Sequence, residues 1–547
     1  MRRYVSMIIF LVLSVPVAWA QMEDPTDRRL SDAANSQLQE LKQKGDLAGI
    51  LKFWEAEGDE YAYQIDLDIM YDFILSFPEE KAVPIMMQGM KSTKTFVANE
   101  CIRQLSDLGV ADKEIFEYVN SRVFPPAPTE EQRKEMAEAA KDLGNSDYSN
   151  REAAYHRLVE MGPATVEVLR PLTKGGDAEV ARSAAEIIEQ VTRVERDELW
   201  AFAHIGKADS LPALRVIVKE GRYGVKCLDS AIDCLGEQGA PEDAALIRPY
   251  LKYPQLIDRA AQALGHLKDV KAVPELLRLA RDPQFADSCL QAVGEIGNKS
   301  VTKELEETLA GEEKFDHRIH YINALAMLGE RKYLQEAIQK ASEDDFIELS
   351  SFSYDVVGPG EMDILVARLN EIDDPLTVSN ILRLIDAIIE RGGQSNETVI
   401  KAIRDARKRC EGAKGYDRWL ASNFSVALLN AGDKEEEAAL MARATGPDPK
   451  ERYDAIAILG GLLVRGRERF VELFMKACDD TGTFQVPRAN PPYTQEVRSM
   501  AIAALSEIAK TGYWRHCRCD NDYRVRAIKE WYEREWKARG ESPVPQG

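Results

Sequence analysis

Three consecutive segments of the chain align without a gap at a step of 29 residues. They are "CLDSAIDCLGEQGAPEDAALIRPYLKYPQ" from Cys227, "LIDRAAQALGHLKDVKAVPELLRLARDPQ" from Leu256 and "FADSCLQAVGEIGNKSVTKELEETLAGEE" from Phe285. Asp229, Asp258 and Asp287 fall in register, as do the small residues Ala231, Ala260 and Cys289. The pairs Leu235–Gly236, Leu264–Gly265 and Val293–Gly294 also coincide, and so do Ile247, Leu276 and Leu305 further on. Apolar residues at helical spacing give each half of the segment one apolar stripe. The small residues let two helices approach closely. The glycine after the stripe is expected to end the first helix in a left-handed conformation. Pro254 and Pro283 mark turns into the next copy. One such helix pair cannot cover its own apolar face, so copies must stack.

The segments "AAQALGHLKDVKAVPELLRLARDP" and "INALAMLGERKYLQEAIQKA" resemble the HEAT-repeat family, most closely its short PBS-lyase-like repeats. "REAAYHRLVEMGPA" followed by "DAEVARSAAEII" looks like a repeat pair of exported bacterial HEAT-like proteins. The resemblance implies an all-α fold, an α-solenoid (superhelix) of stacked antiparallel helix pairs, HEAT/armadillo-like. Before about Pro125 the signature fades, and TPR-like pairs are an alternative there.

The N-terminus predicts the compartment. "MRRYVSMIIFLVLSVPVAWAQ" has a positive start at Arg2 and Arg3, an apolar run from Val5 to Val17, and "AWA" before Gln21. That is the layout of a secretory signal peptide over residues 1–20, cut between Ala20 and Gln21. The run is short for a bilayer span, which needs roughly 20 residues; an uncleaved anchor is the competing reading. The mature chain is expected to be exported, periplasmic or extracellular, with no stable membrane insertion. The remaining expected divisions are helical hairpins over 21–123, a proline-rich linker over 124–132 ("FPPAPTEEQ"), HEAT-like repeats over 133–392, divergent repeats with a terminal cap over 393–540, and a tail over 541–547.

Formal charge is −21 over the full chain and −23 without Arg2 and Arg3. Such a balance repels phosphate backbones, so nucleic acid is not an expected partner. Of the eight cysteines, Cys227 and Cys234 sit two helical turns apart, too far to bridge. Cys101, Cys234 and Cys289 take small-apolar positions and read as buried free thiols. Almost no period-two alternation is present, so strands should be rare, and "DDTGTFQVPRANPPYT" (Asp479 to Thr494) reads as a long loop.

Four candidate sites stand out, each with a competing structural reading. "DHRIH" puts Asp316, His317 and His320 near one helix start, but a third strong metal ligand is missing. "HCRCDND" from His516 gathers Cys517 and Cys519 without zinc or haem spacing; free thiols, a disulfide involving Cys478, or a soft metal held by the C-x-C pair and His516 are the alternatives. "RDARKRCEGAKGYDR" (Arg404 to Arg418) is a basic island that could grip an anionic group, or simply the solvated, cationic last turn of a helix. The stretch from Tyr513 to Arg539 is rich in aromatic and basic residues. Tyr513, Trp514, Arg515, Trp531 and Trp536, with Phe484 and Arg488 from the long loop, are the candidate partner-binding residues, since Trp and Arg make strong contact anchors. The competing reading of Val525, Ile528 and Trp531 is a cap that closes the stack.

The nucleophile elbow, zincin, P-loop and dinucleotide motifs are missing, and the six histidines are scattered. No cofactor, metal or catalytic residue is expected. The leading expectation is a non-catalytic scaffold that binds a protein or peptide partner on a concave helical wall. The alternatives are an accessory subunit or lyase-like enzyme of an exported complex, and glycan or surface binding through the C-terminal aromatics.

Overall fold

The computed structural model describes residues 36–37, 40–41, 43–57, 74–92, 95–221, 224–413, 415–461, 463–486, 493–510 and 521–539. The contacts divide it into two units, residues 31–298 without 75–78, and the residues from 299 onward. The stretch 124–132 is a short connection: Phe124 closes the helix Asp112–Val123, and Thr129 caps a helix that starts at Glu130.

In the N-terminal unit, helices Glu79–Gly89, Thr95–Asp107 and Asp112–Val123 pack in sequence. Four first helices of successive pairs follow: α1 (Arg196–Gly206), α2 (Gly224–Gln238), α3 (Ile257–His266) and α4 (Pro283–Ile296). Each packs on the next, and the short second helices lie between them. The C-terminal unit repeats the plan with α5 (Phe315–Met327), α6 (Asp345–Phe352), α7 (Pro375–Glu390), α8 (Arg418–Asn430), α9 (Pro449–Leu459), α10 (Val497–Ala509) and α11 (Asn521–Trp531). Each unit is an α-solenoid of stacked antiparallel helix pairs. No helix among the described residues is long and apolar enough to cross a membrane.

Local chemistry starts these helices where the sequence marks them. Asp282, Asp374 and Asp448 accept backbone N–H groups of the first turn, and each is followed by a proline at the first helical position. Pro283 is therefore a helix start as well as a turn. Asn396 caps the helix Glu397–Cys410 and accepts from Val399 N–H at 3.1 Å.

The repeat glycines do something other than expected. Gly236, Gly265 and Gly294 lie inside α2, α3 and α4, and none has a positive φ. A Cβ on Gly236 would stand 2.5 Å from Ala263 Cα, and one on Gly265 would stand 3.0 Å from Ala292 Cα. These glycines are sites of close helix approach, not caps. Gly460 meets Ala504 in the same way in the C-terminal unit, at 2.5 Å from its Cβ.

Polar groups then lock the register. Arg259 pairs with Asp229 at 3.3 Å, and Ser288 Oγ donates to Asp258 at 2.5 Å. In the C-terminal unit Ser353 donates to Asn323 at 2.9 Å and Ser350 to Asn380 at 3.0 Å. On the second helices, Arg215 holds Asp243, Arg404 holds Asp433 and Arg331 holds the fully buried Glu361. Each pair joins residues 28 to 30 apart, one repeat to the next. Charge-assisted pairs of this kind are the strong hydrogen bonds of a fold.

One segment departs from the sequence reading. Thr483–Val486 (β1) and Tyr493–Glu496 (β2) form an antiparallel hairpin with Phe484 opposite Gln495. Two strands of four residues are too short to write a clear alternation.

Substitution Gly236→Ala should destabilise the protein by about 2 kcal/mol or more, because the atom it meets is backbone and cannot rotate away. Gly311→Ala, with nothing within 4 Å of its Cβ, should be neutral or stabilising by up to ~1 kcal/mol. Denaturant unfolding of the two variants checks this pair.

Candidate functional site

The nominated C-terminal aromatics divide. Trp531 is 3% exposed and packs with Val525, Ile528 and Tyr532 in the terminal core. It is a cap residue and not an exposed anchor, because helical spacing puts it on the apolar side of α11. Trp536 is half-buried with its ring 5.8 Å from Trp531. Phe484 is half-buried on β1, edge-on to Tyr453 at 5.0 Å. Arg488, Tyr513, Trp514 and Arg515 lie outside the described residues, as do His516, Cys517 and Cys519.

The other sequence candidates resolve into internal contacts. His320 is buried edge-on to Phe352, while His317 Nδ1 lies 2.5 Å from Glu312. Asp316 accepts from the His317 backbone N–H. The two histidines therefore face different neighbours instead of converging on a cation. Among the described residues no three His, Cys, Asp or Glu side chains are grouped to hold a metal. Three arginines of the basic island are held in ion pairs: Arg404 with Asp433, Arg407 with Glu436 and Arg409 with Asp373. Cys101, Cys227, Cys234, Cys289, Cys410 and Cys478 are buried free thiols, and burial pushes the Cys478 thiol up to about 12.

A groove of about 860 Å³ lies along α11 and the start of α10. Two of its lysine and arginine side chains are paired across it, Lys529 on Asp479 at 2.6 Å and Arg498 on Asp522 at 2.5 Å.

A different place has charges left over. α7 is covered on most sides by its neighbours; Val378, Ile381, Leu382, Leu384, Ile385, Ala387 and Ile388 are all buried. Its open stripe runs through Arg383, Asp386 and Glu390, spaced three and four apart on one face. Around this stripe the pairs close. Tyr354 Oη donates to Glu390 at 3.1 Å, and Arg391 pairs with Asp355 at 3.0 Å. Arg465 donates to the Ile389 carbonyl, and its backbone N–H donates to Asn430 Oδ1 at 3.1 Å.

Arg383 and Asp386 are the exceptions. Arg383 is half-buried and makes no hydrogen bond or ion pair among the described residues; burial holds its guanidinium pKa below the ordinary value. Asp386 has one carboxylate oxygen, Oδ1, buried without a partner. Burial pushes its carboxyl up to about 7, against the opposing effects of an Asn430 hydrogen bond and the Arg465 charge. A cation and an acceptor one turn apart, both short of water, can receive a ligand that brings the complementary groups. Neither residue was nominated from sequence. The available signal is the pair of charges Arg383 and Asp386 set within the apolar second half of "PLTVSNILRLIDAIIE".

No family model matches the chain, and no curated protein matches it. Solved structures do. A crystal structure of importin beta in an ammonium sulfate condition is 12% identical, with 92% of this chain and 79% of that chain covered and a TM-score of 0.32. A Kap95:Nup1 complex is 11% identical, with 92% and 77% covered and a TM-score of 0.37. The condensin Cnd3-Cnd2 subcomplex of S. pombe is 12% identical, with 91% and 80% covered and a TM-score of 0.31.

The folded Asp386 carboxyl binds its proton more tightly than the ordinary carboxyl of 3.8. Its contribution to stability is full below pH 3.8 and is lost as the pH rises through about 7. Asp386→Asn should therefore match the wild type near pH 4 and exceed it by on the order of 2 kcal/mol at pH 8. Unfolding curves at the two pH values check the sign.

Proposed function

We propose that the chain is an exported, non-catalytic repeat scaffold that holds a protein or peptide partner along the open strip of its stacked first helices. Export rests on the N-terminal layout from Arg2 to Ala20. The observation that carries the binding role is the stripe of Arg383, Asp386 and Glu390 on α7. Most polar groups described between stacked helices are used up in holding neighbours together. Arg383 and one carboxylate oxygen of Asp386 are not, although leaving such groups short of water and without a partner costs stability. A rigid helical wall with unspent polar groups is suited to recognition. The acidic chain, at −21, attracts a partner with basic surface at long range.

A photo-crosslinking residue at position 390 tests this in the native compartment. It should yield a defined set of protein adducts. The same residue at position 434, where the Lys434 side chain is 81% exposed in the same unit, should not. Equal labelling from both positions, or none from either, would contradict the scaffold reading.

A further inference from the structure

We propose that Arg383 and Asp386 on α7 form a receptor for the free C-terminal end of a polypeptide, the carboxylate seating on Arg383 and the last backbone N–H on Asp386. This rests on the scaffold reading above and names what the scaffold holds. Arg383 offers a planar donor fork that matches a carboxylate in bidentate fashion. Many other half-buried arginines from residue 299 onward, among them Arg318, Arg331, Arg368, Arg404, Arg407 and Arg452, donate to a carboxylate or a carbonyl. Arg383 donates to neither among the described residues, so its guanidinium is available for an anion brought from outside.

Asp386 sits three residues further along the same face. Side chains at that spacing have Cβ atoms about 5–6 Å apart. A chain end presents its carboxylate and nearest N–H groups within one residue's length, roughly 3.5 Å, so both partners are met at once. A side-chain carboxylate stands off from its own backbone and fits this spacing less well. The groups that face the pair are already spoken for: Tyr354 on Glu390, Arg391 on Asp355, and Arg465 on the Ile389 carbonyl. Beyond Asp386, Asn430 Nδ2 donates to the carbonyl of Leu463 at 3.0 Å.

The test uses the full mature chain and three fluorescein-labelled random tripeptide libraries read by anisotropy. One ends in a free carboxyl, one in an amide, and one in an amide with an internal glutamate. The first should bind, and the amide should bind about tenfold more weakly or worse. Arg383→Gln should abolish the difference between the two, while its circular dichroism melt remains cooperative. Arg526→Gln, at an exposed position of α11, should leave it intact. Equal binding of the free-carboxyl and internal-glutamate libraries would overturn the assignment to a chain end. No carboxyl dependence in the wild type, or none lost in Arg383→Gln, would overturn the receptor altogether. Adducts from position 390 in that case would leave the scaffold reading standing, so the two failures are distinguishable.

Discussion

The closeness of successive helices governs the rest of this molecule. Where Gly236 faces Ala263 and Gly265 faces Ala292, no room is left for a methyl group. Backbone lies on the far side, so the distance cannot be relaxed by a rotamer change. With the helices held that near, side chains one repeat apart come directly opposite each other. Asp229 then reaches Arg259, Asp258 reaches Ser288, and Asn323 reaches Ser353. Each of these polar groups is partnered by the neighbouring copy, so a lone helix pair would carry both an uncovered apolar face and unpaired polar atoms.

That dependence explains what could be read in the sequence. A repeated packing environment demands the same residue type at each step, and it is met by Ala231, Ala260 and Cys289, all fully buried. The architecture, the helix starts at Asp282–Pro283 and the buried thiols are legible for this reason. The role of Gly236 was not, because a glycine near a helix end suggests a cap, and the atom that forbids a side chain is 27 residues away at Ala263. The Arg404 island looked like a solvated helix end because its acidic partners, Asp373, Asp433 and Glu436, are all remote in sequence. Trp531 was read in two ways, and its burial leaves it to the cap.

The stripe on α7 was invisible for the same reason. Its character depends on Tyr354 from the end of α6, on Asn430 from α8 and on Arg465 from a later loop. None of these is near Arg383 in the chain. What sets Arg383 and the Oδ1 of Asp386 apart is that the stack leaves them without a partner among the described residues. Glu361, Asp433 and Asp243 are more deeply buried, yet an arginine of an adjacent repeat meets each one. Function in a stack of this kind is to be sought where the copy-to-copy pairing stops.

The most direct test of the account removes one whole copy. Excising residues 256–284 would bring α2 against α4, with Asp229 facing Ser288 and Gly236 facing Ala292. The 29-residue step predicts that this chain retains its helicity per residue and unfolds cooperatively. A deletion of similar length ending four residues out of register should lose both. Collapse of the in-register deletion, or equal tolerance of the two, would contradict the claim that stacking in register holds the structure together.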